Sequence, residues 1–194
     1  MLSDDTARDP ARTRLAGRIR PADGLDDRAW DIAAAGANAI ARAVRETTGL
    51  RTVLHNHCAT FVEASWEIEA LMQRTDSSLV GLCLDTGHCA FGGGDPVAAV
   101  EQWRDRIWHM HFKDCEPAVK ARAAKEEWGY LESVRNGVFC ELGQGQVDFT
   151  KVLARLRSAA YDGWIVVEQD VLPSMGTPAE SAQRNRDYLR SLGV

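Results

Sequence analysis

Leu79-Val80-Gly81-Leu82-Cys83-Leu84-Asp85-Thr86-Gly87-His88 is an apolar run that closes on a carboxylate and an imidazole. Two later stretches likewise end an apolar run with a carboxylate or an imidazole, Ile107-Trp108-His109-Met110-His111-Phe112-Lys113-Asp114 and Trp164-Ile165-Val166-Val167-Glu168-Gln169-Asp170. Parallel strands of an α/β barrel deliver their functional side chains from their C-terminal ends, so three matching endings point to one shared site. Working outward, the pattern predicts strands over 51–57, 79–85, 107–112 and 163–169, and helices over 65–74, 95–104, 118–135, 148–159 and 177–191. Strands separated by helices need crossover connections, which makes them parallel β/α units rather than hairpins. The fold class is α/β, with about four β/α units of the TIM-barrel type.

Helix starts carry their own signals. Asp26 or Asp27 caps a helix in which Trp30, Ala33, Ala34, Ala37, Ile40, Ala41 and Val44 recur at helical spacing until Gly49. Asp95-Pro96 and Thr177-Pro178-Ala179-Glu180 repeat the cap-then-proline logic, the second with a capping-box Glu. Gly137, Gly143 and Gly145 mark a loop across the barrel mouth. Residues 1–26 read as an irregular lead-in, and 27–194 as the barrel domain. Four units make only half of an eight-stranded barrel, which typically takes about 250 residues. The expectation is a C-terminal half-barrel with two open parallel edges, which self-association would cover.

Composition narrows the function classes. A net charge of −5 over 194 residues, with signs interspersed, offers no basic stripe for nucleic acid. No apolar run approaches the ~20 residues of a membrane span, and the N-terminus has no apolar signal region. Five scattered cysteines without a C-x-x-C pair argue against a disulfide framework or zinc knuckle, and suit a cytoplasmic protein.

Side chains alternate along a strand, so Val53, His55 and His57 share one face, as do Gly81, Cys83 and Asp85, His109 and His111, and Val166 and Glu168. All four strands thus place a ligand-capable group at the C-terminal rim. Carboxylates with imidazoles suit a divalent metal, Mn²⁺, Co²⁺, Fe²⁺, Zn²⁺ or Mg²⁺. Cys83, Cys89 and Cys115 lie near these ends but read as small buried hydrophobes. Lys113 is either a solvated charge or a cation that polarises a substrate oxygen or transfers a proton.

On these residues the chain resembles the sugar phosphate isomerase/epimerase superfamily of xylose-isomerase-like TIM barrels, and within it the inosose dehydratase group. The matching stretches are His55-Asn56-His57 with Thr60, Gly81 to His88, Gly93 to Pro96, Arg106-Ile107 with His109 to Asp114, Gly143 to Phe149, and Val167 to Tyr188. The resemblance implies a metal held by His55, Asp85, His111 and Glu168, with Mn²⁺ or Co²⁺ favoured. In many relatives a Glu stands at the position of His55, which leaves His57 or Glu63 as alternative ligands. It also implies substrate contacts from His88 and Lys113, and an acid/base role for Lys113.

The implied chemistry begins with a small polyhydroxylated keto-sugar or keto-inositol, from which a base removes an α-proton to form an enediolate. Loss of a β-hydroxyl makes the protein a lyase dehydrating a keto-inositol in inositol catabolism, with Glu168 as base and Lys113 or His88 as acid. Reprotonation instead makes it a sugar or sugar-phosphate isomerase or epimerase. The reading from another class is a catalytically silent half-barrel fragment or subunit.

Overall fold

The computed structural model describes residues 1–170, 172 and 176–194. Four parallel strands form its sheet: β1 (Thr52–His55), β2 (Val80–Asp85), β3 (Ile107–Phe112) and, after a short antiparallel pair β4 (Asp114–Cys115) and β5 (Phe139–Cys140), β6 (Ile165–Val167), in the order β1-β2-β3-β6. The helices are α1 (Pro10–Leu15), α2 (Asp27–Thr48), α3 (Ser65–Arg74), α4 (Thr86–Phe91), α5 (Pro96–Trp103), α6 (Pro117–Lys125), α7 (Tyr130–Arg135), α8 (Phe149–Ser158) and α9 (Pro178–Ser191). In the outer layer α2 packs on α3 and α5 on α8. This is the expected set of parallel β/α units.

Local chemistry fixes the ends. Asp26, Asp95 and Asp148 each accept a backbone N–H of the first turn that follows, and Thr177 with Glu180 closes a capping box. Gly49 stops α2 in the left-handed conformation at φ 72°. All of β2 is buried, as befits a central parallel strand, and its outward Leu82 and Leu84 join Met110, Phe112, Phe149 and Leu71 in the core.

One irregularity aligns the sheet's functional face. Leu82 pairs with Ile107, but Cys83 then pairs with His109 and Asp85 with His111, so Trp108 is an extra residue in β3. An unbroken register would have set Met110 beside Asp85; the bulge sets an imidazole there instead. Gly81 makes room for it, since an added Cβ would collide with the Trp108 indole.

Three expectations need correction. The helix expected over 118–135 is two, α6 and α7, because Glu127 turns left-handed at φ 57° and Trp128 folds into the interior. The loop from Gly137 to Gly145 contains β5, paired with β4. Residues 1–26 are not an irregular lead-in: they hold α1 and a 3-10 turn at Pro21–Asp23, and Leu2 adds to the β1 edge by a parallel bridge. Their anchor is Arg12, a charged residue 1% exposed that pairs with Glu67 at 2.8 Å. Charge in a sequence reads as surface, and here the charge is inside. No helix among the described residues is long and apolar enough to cross a membrane.

Candidate metal centre

The four rim residues meet. His55 ends β1, Asp85 ends β2, His111 lies near the end of β3, and Glu168 follows β6 with its N–H donating to Phe112 O at 3.0 Å. Where β1 stops, Asn56 carries the ladder onward: its Oδ1 accepts from Asp85 N at 2.8 Å and its Nδ2 donates to Asp85 O at 3.2 Å. Asp85 also caps α4, its Oδ1 accepting from His88 N at 2.7 Å. That leaves Oδ2 for other work.

Ligand atoms of His55, Asp85, His88 and Glu168 lie within 4.8 Å of one another. His111 joins them, with Nδ1 at 2.9 Å from Glu168 Oε1 and 3.8 Å from Asp85 Oδ2. The contact with Glu168 is close but not aligned as a hydrogen bond, and among the described residues none completes His55 Nδ1, Asp85 Oδ2 or His111 Nδ1. A buried polar atom left unpaired costs roughly 1–3 kcal/mol. Three such atoms on one rim, two nitrogens and a carboxylate oxygen, fit a divalent cation by both position and donor chemistry.

Burial sets the charge states. It lowers the pKa of His55, with His111 and His57 adding to the effect, and it drives His88 well below the usual imidazole range. Both rings are therefore neutral near pH 7, the form that ligates metals. Burial raises Asp85 to about 7, against the pull of Lys113 and the His88 N–H. Glu168 moves the other way, held below the usual carboxylate range chiefly by His111 and then by Lys113, against burial.

Lys113 stands beside this cluster, its Nζ 3.3 Å from Glu168 Oε2, 3.3 Å from Asp170 Oδ2 and 3.4 Å from His88 Nε2, and over the Phe139 ring. Burial pulls its pKa down, but Asp85, Asp170 and Glu168 together raise it, so it is an ammonium. Gly87 lets its stem pass, since a Cβ there would sit 2.5 Å from Lys113 Cγ. Of the alternative ligands, Glu63 is not at the centre: its carboxylate accepts from Gly17 N at 2.6 Å and Ala59 N at 2.7 Å. His57 does lie there: it offers a ligand atom within 4.8 Å of those of His55 and His88, while its Nδ1 contacts Cys58 O at 2.7 Å and Thr6 Oγ1 at 3.2 Å.

Asn56, Asp114 and Asp170 stand in stretches that the sequence singles out, but no role is read for them there. Asp114 accepts four backbone N–H groups, from Cys115, Gly143, Gly145 and Val147, and so fastens the loop beside Lys113. Only the turn-rich glycines of that loop hinted at a buried anchor. Part of the matching stretch from Val167 to Tyr188, at 171 and 173–175, lies outside the described residues.

A family model described as xylose isomerase-like TIM barrel matches residues 11–192. The chain is 36% identical over 166 residues to an inosose dehydratase of Clostridium beijerinckii, covering 86% of this chain and 55% of that protein. It is 37% identical over 161 residues to one of Bacillus cereus, covering 83% and 54%. The chain thus spans about half the length of the curated relatives it matches. Among solved structures, a probable 3-DHS dehydratase, AsbF, of Bacillus anthracis superposes with a TM-score of 0.66 at 18% identity, covering 86% of this chain and 58% of that one. The IOLI protein with a bound zinc atom gives 0.64 at 17%, covering 87% and 58%. At such identities the two structures speak for the fold.

Proposed function

Since the chain belongs to the xylose isomerase-like TIM-barrel family, we propose that it carries the metal-holding half of a lyase that dehydrates a keto-inositol through an enediolate. The observation that carries this reading is the gathering of buried ligand atoms, His55 Nδ1 and Asp85 Oδ2 without a hydrogen-bond partner among the described residues and His111 Nδ1 against Glu168 Oε1 at 2.9 Å, beside Lys113. His55, Asp85, His111 and Glu168 would hold the ion, with Mn²⁺ or Co²⁺ favoured by the mix of carboxylate and imidazole and Zn²⁺, Fe²⁺ or Mg²⁺ as alternatives. A bound divalent ion supplies Lewis acidity to the substrate's ketone and neighbouring hydroxyl.

The chain's own groups divide the proton work. Glu168, ionised and a third exposed, takes the α-proton at one of its oxygens. Lys113 Nζ, kept charged by three carboxylates, gives a proton to the departing β-hydroxyl. His88 is buried and neutral, and with Nδ1 accepting from Cys58 N at 3.3 Å its Nε2–H, 3.4 Å from Lys113 Nζ, is the alternative donor. The indicated substrate class follows the inosose dehydratases among the relatives.

The half-barrel leaves its edges unequal. Leu2 covers part of the β1 edge, with Leu2 N donating to Val53 O at 2.7 Å and His55 N to Leu2 O at 2.8 Å. The β6 edge has no outer strand among the described residues, and Trp164 there is 80% exposed. A second copy, or the complementary half of a barrel, would cover that edge.

The test incubates metal-stripped protein, reloaded with Mn²⁺ or Co²⁺, with 2-keto-myo-inositol in D₂O. Loss of water with deuterium uptake at the carbon that gave up its hydroxyl is expected, because the α-carbon ends as a second carbonyl. Deuterium uptake without elimination would move the assignment to an isomerase or epimerase. Metal binding with neither would identify a silent half that needs its complement.

A further inference from the structure

A second group of metal-ligating atoms lies lower in the same half-barrel. Cys83 is the direct parallel neighbour of His55 in the register of β1 and β2, two residues before Asp85 on the same face. His55, Cys83 and His111 bring one ligand atom each within 4.8 Å of one another, and all three are buried. The two imidazoles are 6% and 5% exposed; His55 Nδ1 is buried without a hydrogen-bond partner among the described residues, and His111 Nδ1 has Glu168 Oε1 at 2.9 Å. Cys83 Sγ likewise takes no hydrogen bond among the described residues, whereas Cys58 Sγ donates to His88 O at 3.4 Å. Among the described residues Cys83 is the one thiol that belongs to such a group.

We propose that His55, Cys83 and His111 form a deeper, softer metal position below the Asp85 and Glu168 carboxylates, one that takes a thiolate-binding ion such as Zn²⁺ or Co²⁺. Two imidazoles and a thiolate, with a fourth place left open, are a donor set that suits zinc. Hard ions prefer the carboxylates above. The inference rests on the metal-centre reading only through the shared residues His55 and His111. Sharing them means that one ion at a time is held, high or low according to its softness. Binding at the lower position forms a metal–Sγ bond and breaks the Sγ–H bond, and the proton leaves to solvent with no change of oxidation state.

The experiment is a Co²⁺ titration of the metal-stripped 194-residue protein, followed by absorption in the near ultraviolet, where thiolate-to-cobalt charge transfer appears. Wild type and Asp85→Asn should both develop the band. Cys83→Ser and Cys83→Ala should lack it, and should bind Zn²⁺ more weakly by at least the roughly 10- to 100-fold that loss of an outer partner costs. X-ray absorption at the zinc edge of wild type, which needs no variant to fold, should place one sulfur at about 2.3 Å. Stoichiometric cobalt without a thiolate band and without a sulfur shell overturns the lower position and leaves the carboxylate centre standing. A band that survives loss of Cys83, or vanishes with Asp85→Asn, also overturns it. No cobalt binding at all overturns both.

Discussion

The Arg12–Glu67–Glu63 cluster and the His55–Asp85–His111–Glu168 cluster both bury carboxylates, yet their oxygens are satisfied in opposite ways. In the first, Glu67 Oε2 accepts from Arg12 Nη2 at 2.8 Å, Ala64 N at 2.9 Å and Glu63 N at 3.1 Å. Both Glu63 oxygens accept backbone N–H groups, and Arg12 Nε donates to Thr60 O at 2.8 Å. Only Glu67 Oε1 is left over. In the second, atoms of three different residues are left over on one rim. Buried charge alone therefore does not mark a site. The first cluster spends its donors and acceptors within the chain and staples residues 1–26 to the barrel; the second leaves part of its set uncommitted among the described residues.

The sharpest way to break this contrast is to remove Arg12. Arg12→Met leaves the Glu67 carboxylate buried and without its cation, and loss of one member of a buried pair costs about 3–5 kcal/mol. Urea unfolding should show that loss, while cobalt affinity per folded molecule stays the same. A loss below about 1 kcal/mol would mean that the pair behaves as a surface one.

The second test uses pH. Burial raises Glu63 to about 7, against the Gly17 and Ala59 amides and Arg12. An unfolded Glu titrates near 4.3, so between there and pH 7 the native state binds more protons than the unfolded chain. Stability then falls as pH rises through that window, by about 4 kcal/mol at most. Glu63→Gln should flatten this part of the profile. If wild type instead gains stability relative to the variant between pH 5 and 7, the two amides outweigh burial and the carboxylate is ionised.

Much of this is legible in the sequence. The predicted ranges 65–74 and 148–159 meet α3 and α8 nearly to the residue, and period-two alternation puts His55, Asp85, His111 and Glu168 on inward faces. What alternation does not carry is register between strands. His111 stands beside Asp85 because Trp108 is bulged out of the ladder, and whether an extra residue is accommodated is decided by packing against Gly81, a neighbour 27 positions away. Arg12 was illegible for a related reason. Its partners Glu67, Thr60 and Asp23 are brought to it only by tertiary packing, so its sequence context is that of any surface arginine. Asp114 sits between the two cases, since its four amide donors come from a glycine-rich loop that could be read as a turn but not as a cradle.

The smallest expected change in folding is also the most discriminating. Asp85→Asn keeps the oxygen that caps α4, because an Asn side chain accepts from the His88 N–H as an Asp does. What it removes is the charge at Oδ2, which has no hydrogen-bond partner among the described residues and lies 3.8 Å from His111 Nδ1. Burial already pushes Asp85 toward its neutral form, up to about 7 against the pull of Lys113, so replacing it by a neutral amide should change the unfolding free energy by less than about 1 kcal/mol in either direction. The same substitution should abolish what Mn²⁺ adds. An ion at a hundred times its dissociation constant stabilises the folded state by about 2.7 kcal/mol, a shift of roughly 5–10 °C in Tm for a chain of this size. Wild type and Arg12→Met should both show that shift, and Asp85→Asn should not. If Asp85→Asn instead unfolds the metal-free protein as severely as Arg12→Met, the rim cluster is a second structural staple, and its unpaired atoms do not mark a metal centre.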